Sequence, residues 1–302
     1  MKNSRVLFTL VVLIGVLALL AAGLGVFWQD SGNSFDFKTV RGDTVTIQGH
    51  GLYKYDSANL VSQALGQDVV TLLVGLPLLA AGLWMFRKNW LRGKLLLAGT
   101  LAYFLYAYTT YAFGSAFNVL FLVYVALFSL SLFAFVLTLL TIDVKTLALH
   151  ISVHLPRKTI AGYFFLLGLF LLVAWSGRIV PALLDNSTPV GLESSTTLFV
   201  QVMDLGIIMP VAFLAGWLLL KKNAWGYLLA AVSLFHGLTM GLAIVAMVIT
   251  QVLAGDEVNV AEAGIFVALV LAGLFMTYIF FENVKEEEVS EEISLPDHPL
   301  AV

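Results

Sequence analysis

The chain has 302 residues, of which 60% are hydrophobic and only 12% charged, and its formal net charge is −3. Soluble domains carry roughly 25% charged residues, so this composition excludes a globule clothed by water and makes hydrocarbon the solvent for most side chains. The chain has no cysteine, which excludes disulfides, iron–sulfur clusters, thiol redox chemistry and cysteine nucleophiles.

A helix needs about 20 apolar residues to cross that hydrocarbon. Segments of this kind run over 6–27, 69–86, 95–113, 119–140, 160–176, 197–220, 225–252 and 265–281. They predict an all-α integral membrane protein with eight transmembrane helices. Lys2 and Arg5 precede the first segment as they would in a secretory leader. Its apolar run is longer than the roughly 7–15 residue core of a cleaved leader, so it reads as a retained span.

Loop 29–58, after the first helix, is the only sizeable soluble piece. Its apolar positions Phe35, Phe37 and Val40, and the stretch 44–48, alternate about Arg41-Gly42-Asp43; this predicts a small β-hairpin with the Arg-Gly-Asp string as its turn. Residues 141–159 form a linker, with Pro156 at the approach to the fifth helix. Within it, 147–155 alternates like a strand and equally suits a helix lying on the membrane. Loop 177–195 has turn chemistry at Asn186-Ser187-Thr188-Pro189. The tail 282–302, with Glu286, Glu287, Glu288, Glu291 and Glu292, has the composition of a disordered acidic segment.

Two stretches can be superimposed. Residues 79–99 read LAAGLWMFRKNWLRGKLLLAG and residues 213–231 read FLAGWLLLKKNAWGYLLAA. Upstream, Gln67-Asp68 faces Gln201-x-x-Asp204 with a small shift. The chain therefore divides into a first four-helix repeat over 1–140, the linker, and a second repeat over 160–281. Both halves enter the membrane in the same direction, so the implied pseudo-symmetry axis lies along the membrane normal, as in transporters with parallel repeats.

Lysine and arginine set the orientation. With a cytoplasmic N-terminus, the inner side carries Lys2, Arg5, Arg87, Lys88, Arg92, Lys94, Lys145, Arg157, Lys158, Lys221, Lys222 and Lys285. The outer side carries only Lys38, Arg41, Lys54 and Arg178. The expectation is a plasma-membrane protein with both termini in the cytoplasm.

The segments GLYKYDSANLVSQ, YFLYAYTTYAFG and VMDLGIIMPVAFLAGWLLLKKNAWGYLLA resemble a family of uncharacterised prokaryotic polytopic membrane proteins over most of residues 6–282. The resemblance implies the membrane class and a prokaryotic source, and brings no activity, ligand or catalytic residue.

Ionisable groups at membrane depth are costly and therefore candidates for function. At ~1.5 Å per residue from the basic turns, Asp68, Asp204 and His236 fall in the outer half of the bundle, with Gln63, Gln67 and Gln201 supplying amides nearby. Tyr103, Tyr106 and Thr110 share a helical face and are expected to line the interior, whereas Tyr108 and Tyr111 suit an outer aromatic belt. The bland alternatives are first-turn aspartates kept wet at helix ends and a histidine satisfied by packing. The functional expectation is an outward-facing polar pocket for a small solute or ion. In it, Asp204 and Asp68 hold a cation or proton, His236 tunes them, and Tyr106 and Gln201 orient the solute. A sensor or scaffold that binds a partner through loop 29–58 is the alternative.

No lysine falls inside a predicted helix, so a retinal-type Schiff base is excluded, and one membrane histidine cannot supply bis-histidine haem ligation. Walker A, H-E-x-x-H and G-x-S-x-G patterns are missing. His150 and His154 are four apart but lack a third ligand for a metal. The sequence calls for no cofactor, no catalytic group and no nucleic acid, and the oligomeric state is open.

Overall fold

The computed structural model describes residues 2–28, 30–256 and 258–286. Eight long helices carry the fold: α1 (Lys2–Phe27), α2 (Ala58–Arg87), α3 (Leu91–Gly114), α4 (Phe121–Leu139), α5 (Arg157–Leu184), α6 (Phe199–Leu220), α7 (Ala224–Ala254) and α8 (Val260–Glu282). Seven of them are long and apolar enough to cross a membrane; α3 is the exception by composition. The protein is accordingly a multi-pass membrane protein. Large apolar side chains stand exposed along the outer faces, among them Leu19, Leu73, Leu122, Phe133, Leu169, Val173 and Leu271. No soluble protein would carry such a surface, and bilayer hydrocarbon covers it.

The low hydropathy of α3 follows from its place. It packs against α2, α4 and α7, and Leu95, Leu97, Leu101, Tyr103 and Phe104 are sealed from solvent. A helix wrapped by others needs no apolar face for lipid, so glycine, threonine and tyrosine are affordable there. Gly99 lets α3 and α7 touch, since a Cβ on it would sit 2.3 Å from Phe235 Cβ. Gly66 does the same for α2 against Met247 of α7.

Both α2 and α6 contain one widened turn with π geometry, Thr71–Gly75 and Asp204–Ile208. The cause is a proline two residues beyond each, Pro77 and Pro210. A proline inside a helix donates no N–H and crowds the carbonyl four residues back, and a wider turn relieves that clash. These landmarks recur at one spacing. Thr71 and Asp204, Pro77 and Pro210, Trp84 and Trp217, and Gly93 and Gly226 are each 133 residues apart. So are the left-handed residues Asn89 (φ 60) and Lys222 (φ 56) in the two basic turns. At that spacing Asp68 corresponds to Gln201 and Thr71 to Asp204, whereas residue type alone set Gln67-Asp68 against Gln201-x-x-Asp204.

At the opposite end from the basic turns, strands β1 (Phe35–Lys38) and β2 (Thr44–Ile47) pair antiparallel, Phe35 opposite Ile47. The loop is moored by an Ile47–Ser57 bridge and by buried Leu52 and Tyr53. Ser57 caps α2, accepting from the Leu60 N–H at 3.4 Å.

The linker is neither an extended strand nor a long surface helix. It makes one helical turn (Val144–Leu147), a 3-10 turn (Ala148–His150) and a bridge from Ile151 to Val284. Residues 283–286 of the acidic tail are therefore part of the fold: Val284 is fully buried. The Glu286 carboxylate accepts from the N–H groups of Leu91 and Arg92 at 2.7 and 2.9 Å, a favourable place for an anion at a helix N-terminus. The remainder of the tail lies outside the described residues.

Candidate functional site

The two aspartates start from the same problem. A carboxylate in a helix at membrane depth must find donors or a cation, because unpaired charge in hydrocarbon is prohibitive. Each solves it with two neutral donors, and neither pairs with a lysine, arginine or histidine among the described residues.

Asp204 opens the widened turn of α6. Its Oδ1 accepts from the Tyr106 hydroxyl of α3 at 2.7 Å and its Oδ2 from the Trp175 indole N–H of α5 at 3.0 Å. The Tyr106 ring in turn lies 5.6 Å from the His236 ring of α7. The Nδ1 of His236 is buried and has no hydrogen-bond partner, although the Ala102 backbone is near enough to interact with the ring. Toward the loop end, Arg178 stacks over Trp175 with its guanidinium carbon 5.1 Å from the ring centre, and it pairs with Glu262 of α8. A continuous string of polar contacts thus descends from the rim, Glu262–Arg178–Trp175–Asp204–Tyr106, and ends against His236.

These residues line a cavity of about 810 Å³ walled by α2, α3, α5, α6, α7 and α8. Its rim is formed by residues 187–191 and by Glu193, Asn259 and Glu262, and its floor reaches Tyr163, Phe164 and Ser233. On the α2 wall, the Asn59 carbonyl oxygen accepts from Gln63 at 2.9 Å and from Gln251 at 2.7 Å, while the Asn59 amide donates to Glu193 at 3.3 Å. The volume suits a drug-sized molecule, and the walls combine aromatic and aliphatic side chains with polar and charged ones.

Asp68 is elsewhere. It is 2% exposed and turned away from the cavity. Its Oδ2 accepts from Tyr53 of the loop at 2.6 Å and its Oδ1 from Tyr111 of α3 at 2.9 Å. The helix begins at Ala58, which buries Asp68 almost three turns in rather than leaving it wet at a helix end. Beside it, Gln67 and Thr71 both bond the Tyr103 hydroxyl, at 2.7 and 2.8 Å.

Of the residues singled out in the sequence, Asp204, His236, Tyr106, Gln63, Gln67, Thr110 and Tyr111 line the cavity; Asp68, Tyr103, Tyr108 and Gln201 do not. Neighbouring residues on a helix point about 100° apart, so Gln67 can face the cavity while Asp68 faces α1. Gln201 lines a second hollow of about 510 Å³ under residues 186–198. Tyr108 and Tyr111 form no outer belt. They are 1% and 5% exposed and stack with Tyr53 and Tyr124, because their face of α3 is turned toward the loop and α4 while Phe113 takes the exposed side.

Sequence reading missed Trp175, Arg178 and Glu262. Trp175 and Arg178 are three apart, which places them one above the other on α5, and that spacing was available in the sequence. Pairing Arg178 with Glu262 required the fold.

No family model matches the chain, and neither a curated protein nor a solved structure matches it. Function must therefore come from the cavity itself.

Proposed function

We propose that the protein is an eight-span carrier of a small organic cation, which it takes into the cavity around Asp204. The single observation that carries this reading is a partly buried carboxylate, in a cavity of about 810 Å³, held by two neutral donors and, among the described residues, by no cation. The missing positive charge is then the solute's. Aromatic faces at Tyr106, Trp175, Phe199 and Phe266 would hold an ammonium by cation–π attraction, an interaction that strengthens as water is excluded.

The bias of lysine and arginine toward the basic-turn end supports cytoplasmic termini and a cavity that opens outward, in the plasma membrane. The landmarks recurring 133 residues apart support two four-helix repeats, an architecture able to rock about a normal axis. The resemblance to prokaryotic membrane proteins supports a prokaryotic source.

The test uses the full chain purified in detergent. Phenethylammonium should raise the unfolding temperature, 2-phenylethanol of the same shape should not, and Asp204→Asn should abolish the difference. Labelled phenethylammonium should then enter proteoliposomes. Equal effects of the two probes, or an ammonium effect that survives Asp204→Asn, would sink the reading.

A second reading, a sensor or scaffold, is favoured by one observation. Phe35, Phe37 and Val40 of the hairpin are 50%, 45% and 98% exposed, an apolar surface outside the helices. It predicts that deleting residues 33–49 leaves ammonium binding intact but releases a bound partner.

A further inference from the structure

Asp68 is the strongest feature that the cavity leaves unexplained. Its carboxylate is sealed on every side. Gly25 of α1 packs so closely that a Cβ there would sit 1.9 Å from Oδ2. The titratable groups around it are all tyrosines: Tyr53 from the loop, Tyr103, Tyr108 and Tyr111 from α3, and Tyr124 from α4. From α1 the closest approach is that of Gly25, and α7 faces this part of α2 with Met247. A metal cation needs six or more oxygens at about 2.3–2.6 Å if it is calcium-like, or several waters if magnesium-like, and the packing leaves no room for either. The proton is the one positive charge that requires no space.

Two details fit a site that gains and loses one. First, the Tyr111 hydroxyl has two acceptors within reach, Asp68 Oδ1 at 2.9 Å and the Ala64 carbonyl at 3.1 Å. With Asp68 ionised, Tyr111 donates to it. With Asp68 protonated, the acid donates to the Tyr111 oxygen and Tyr111 donates to Ala64. Each arrangement satisfies every group involved, so the switch leaves no buried donor or acceptor orphaned. Second, the hydroxyl of Tyr108 in the same ring cluster is buried without a partner, a polar group that a rearranged network can engage. Tyr111 also lines the cavity and Tyr53 does not, so among the described residues Tyr111 is the hydrogen-bond partner of the Asp68 carboxylate that reaches that space.

We propose that Asp68 is an enclosed proton-binding site, loaded from the cavity through the Tyr111 hydroxyl. Hydronium in the cavity gives a proton to the Tyr111 oxygen as Tyr111 passes its own to Asp68. The net change is carboxylate plus hydronium to carboxylic acid plus water, with tyrosine neutral before and after. The site stands on its own geometry and draws on the proposed function only in taking the cavity as the route for water. If that function is proton-coupled uptake, this is where the proton rides.

Infrared spectroscopy on the full chain in lipid tests this without any solute. A carboxylic-acid carbonyl band should appear as pH falls, shift in deuterium oxide, persist in Asp204→Asn and vanish in Asp68→Asn. Tyr111→Phe should keep the band and slow its hydrogen–deuterium exchange. A band unchanged by Asp68→Asn would overturn the site, and unchanged exchange in Tyr111→Phe would overturn the relay. Should Asp68→Asn fail to fold, Tyr111→Phe decides. In that variant, a band with slowed exchange upholds the proposal, and a missing band or unslowed exchange refutes it. Because no ammonium probe is present, failure here is distinct from failure of the carrier reading.

Discussion

Asp68 and Asp204 look alike in sequence, each with a glutamine within three residues upstream and each in a helix that ends in a basic turn, yet they occupy opposite environments. Asp68 is locked among tyrosines with Gly25 pressed against it; Asp204 borders open space. The register of the widened turns explains the difference. Thr71 opens the widened turn of α2 as Asp204 opens that of α6, and each bonds a tyrosine of α3, Thr71 with Tyr103 and Asp204 with Tyr106. An identical backbone device has thus been fitted with a hydroxyl on one side and a carboxylate on the other. Asp68 lies one turn before the widened turn of α2 and points into the protein, whereas Asp204 opens the widened turn of α6 and faces the gap. The lesson is that acidic residues in similar stretches are not equivalent until the backbone register is known.

The sharpest way to break this comparison is through glycine. Gly25→Ala should destabilise the protein by about 1–3 kcal/mol through overpacking against Asp68. Gly206→Ala, beside Asp204, meets nothing within 4 Å and should be neutral or stabilising by up to about 1 kcal/mol. Thermal unfolding in detergent reads both, and equal effects would mean that the two acids are equally enclosed.

Removing one hydroxyl from each carboxylate comes next. Tyr53→Phe strips a sealed acid of a donor that water cannot replace and should cost about 1.5–3 kcal/mol. Tyr106→Phe should cost less, since water in the cavity can donate to Asp204 instead. The order of the two unfolding temperatures checks this.

A third acid extends the comparison to the loop. Burial raises the Asp56 carboxyl to about 6, with the hydrogen bond from the Ala116 N–H opposing that rise. The folded value lies above the unfolded one, so the folded protein binds this proton more tightly. Its contribution is greatest at low pH and declines as pH rises from about 4 to about 6. Asp56→Asn should flatten the unfolding temperature across that window while keeping the bond to Ala116.

The smallest effect is expected at the rim. Arg178 and Glu262 are 31% and 25% exposed, so Arg178→Gln should cost no more than about 1 kcal/mol. Its stronger readout is the ammonium probe: removing a competing positive charge from the rim should tighten binding, and weaker binding would argue that Arg178 belongs to the site.

The sequence alone determined the membrane class, because sixty per cent hydrophobic residues in runs the length of a bilayer admit few other solvents. It also located the basic turns, since lysine, asparagine, tryptophan and glycine cluster where helices must reverse. His236, Asp204 and Tyr106 were legible as candidates because polar residues are conspicuous in an apolar helix. Only tertiary structure decided which of them meet. Whether Asp68 faces α1 or the cavity, whether Tyr111 is belt or relay, and whether Arg178 finds Glu262 all depend on the rotation of each helix about its own axis. That rotation is set by close glycine contacts, Gly25, Gly66 and Gly99, and by turns widened ahead of proline. Neither leaves a hydropathy signal, because a glycine in contact and a glycine in open space are the same letter.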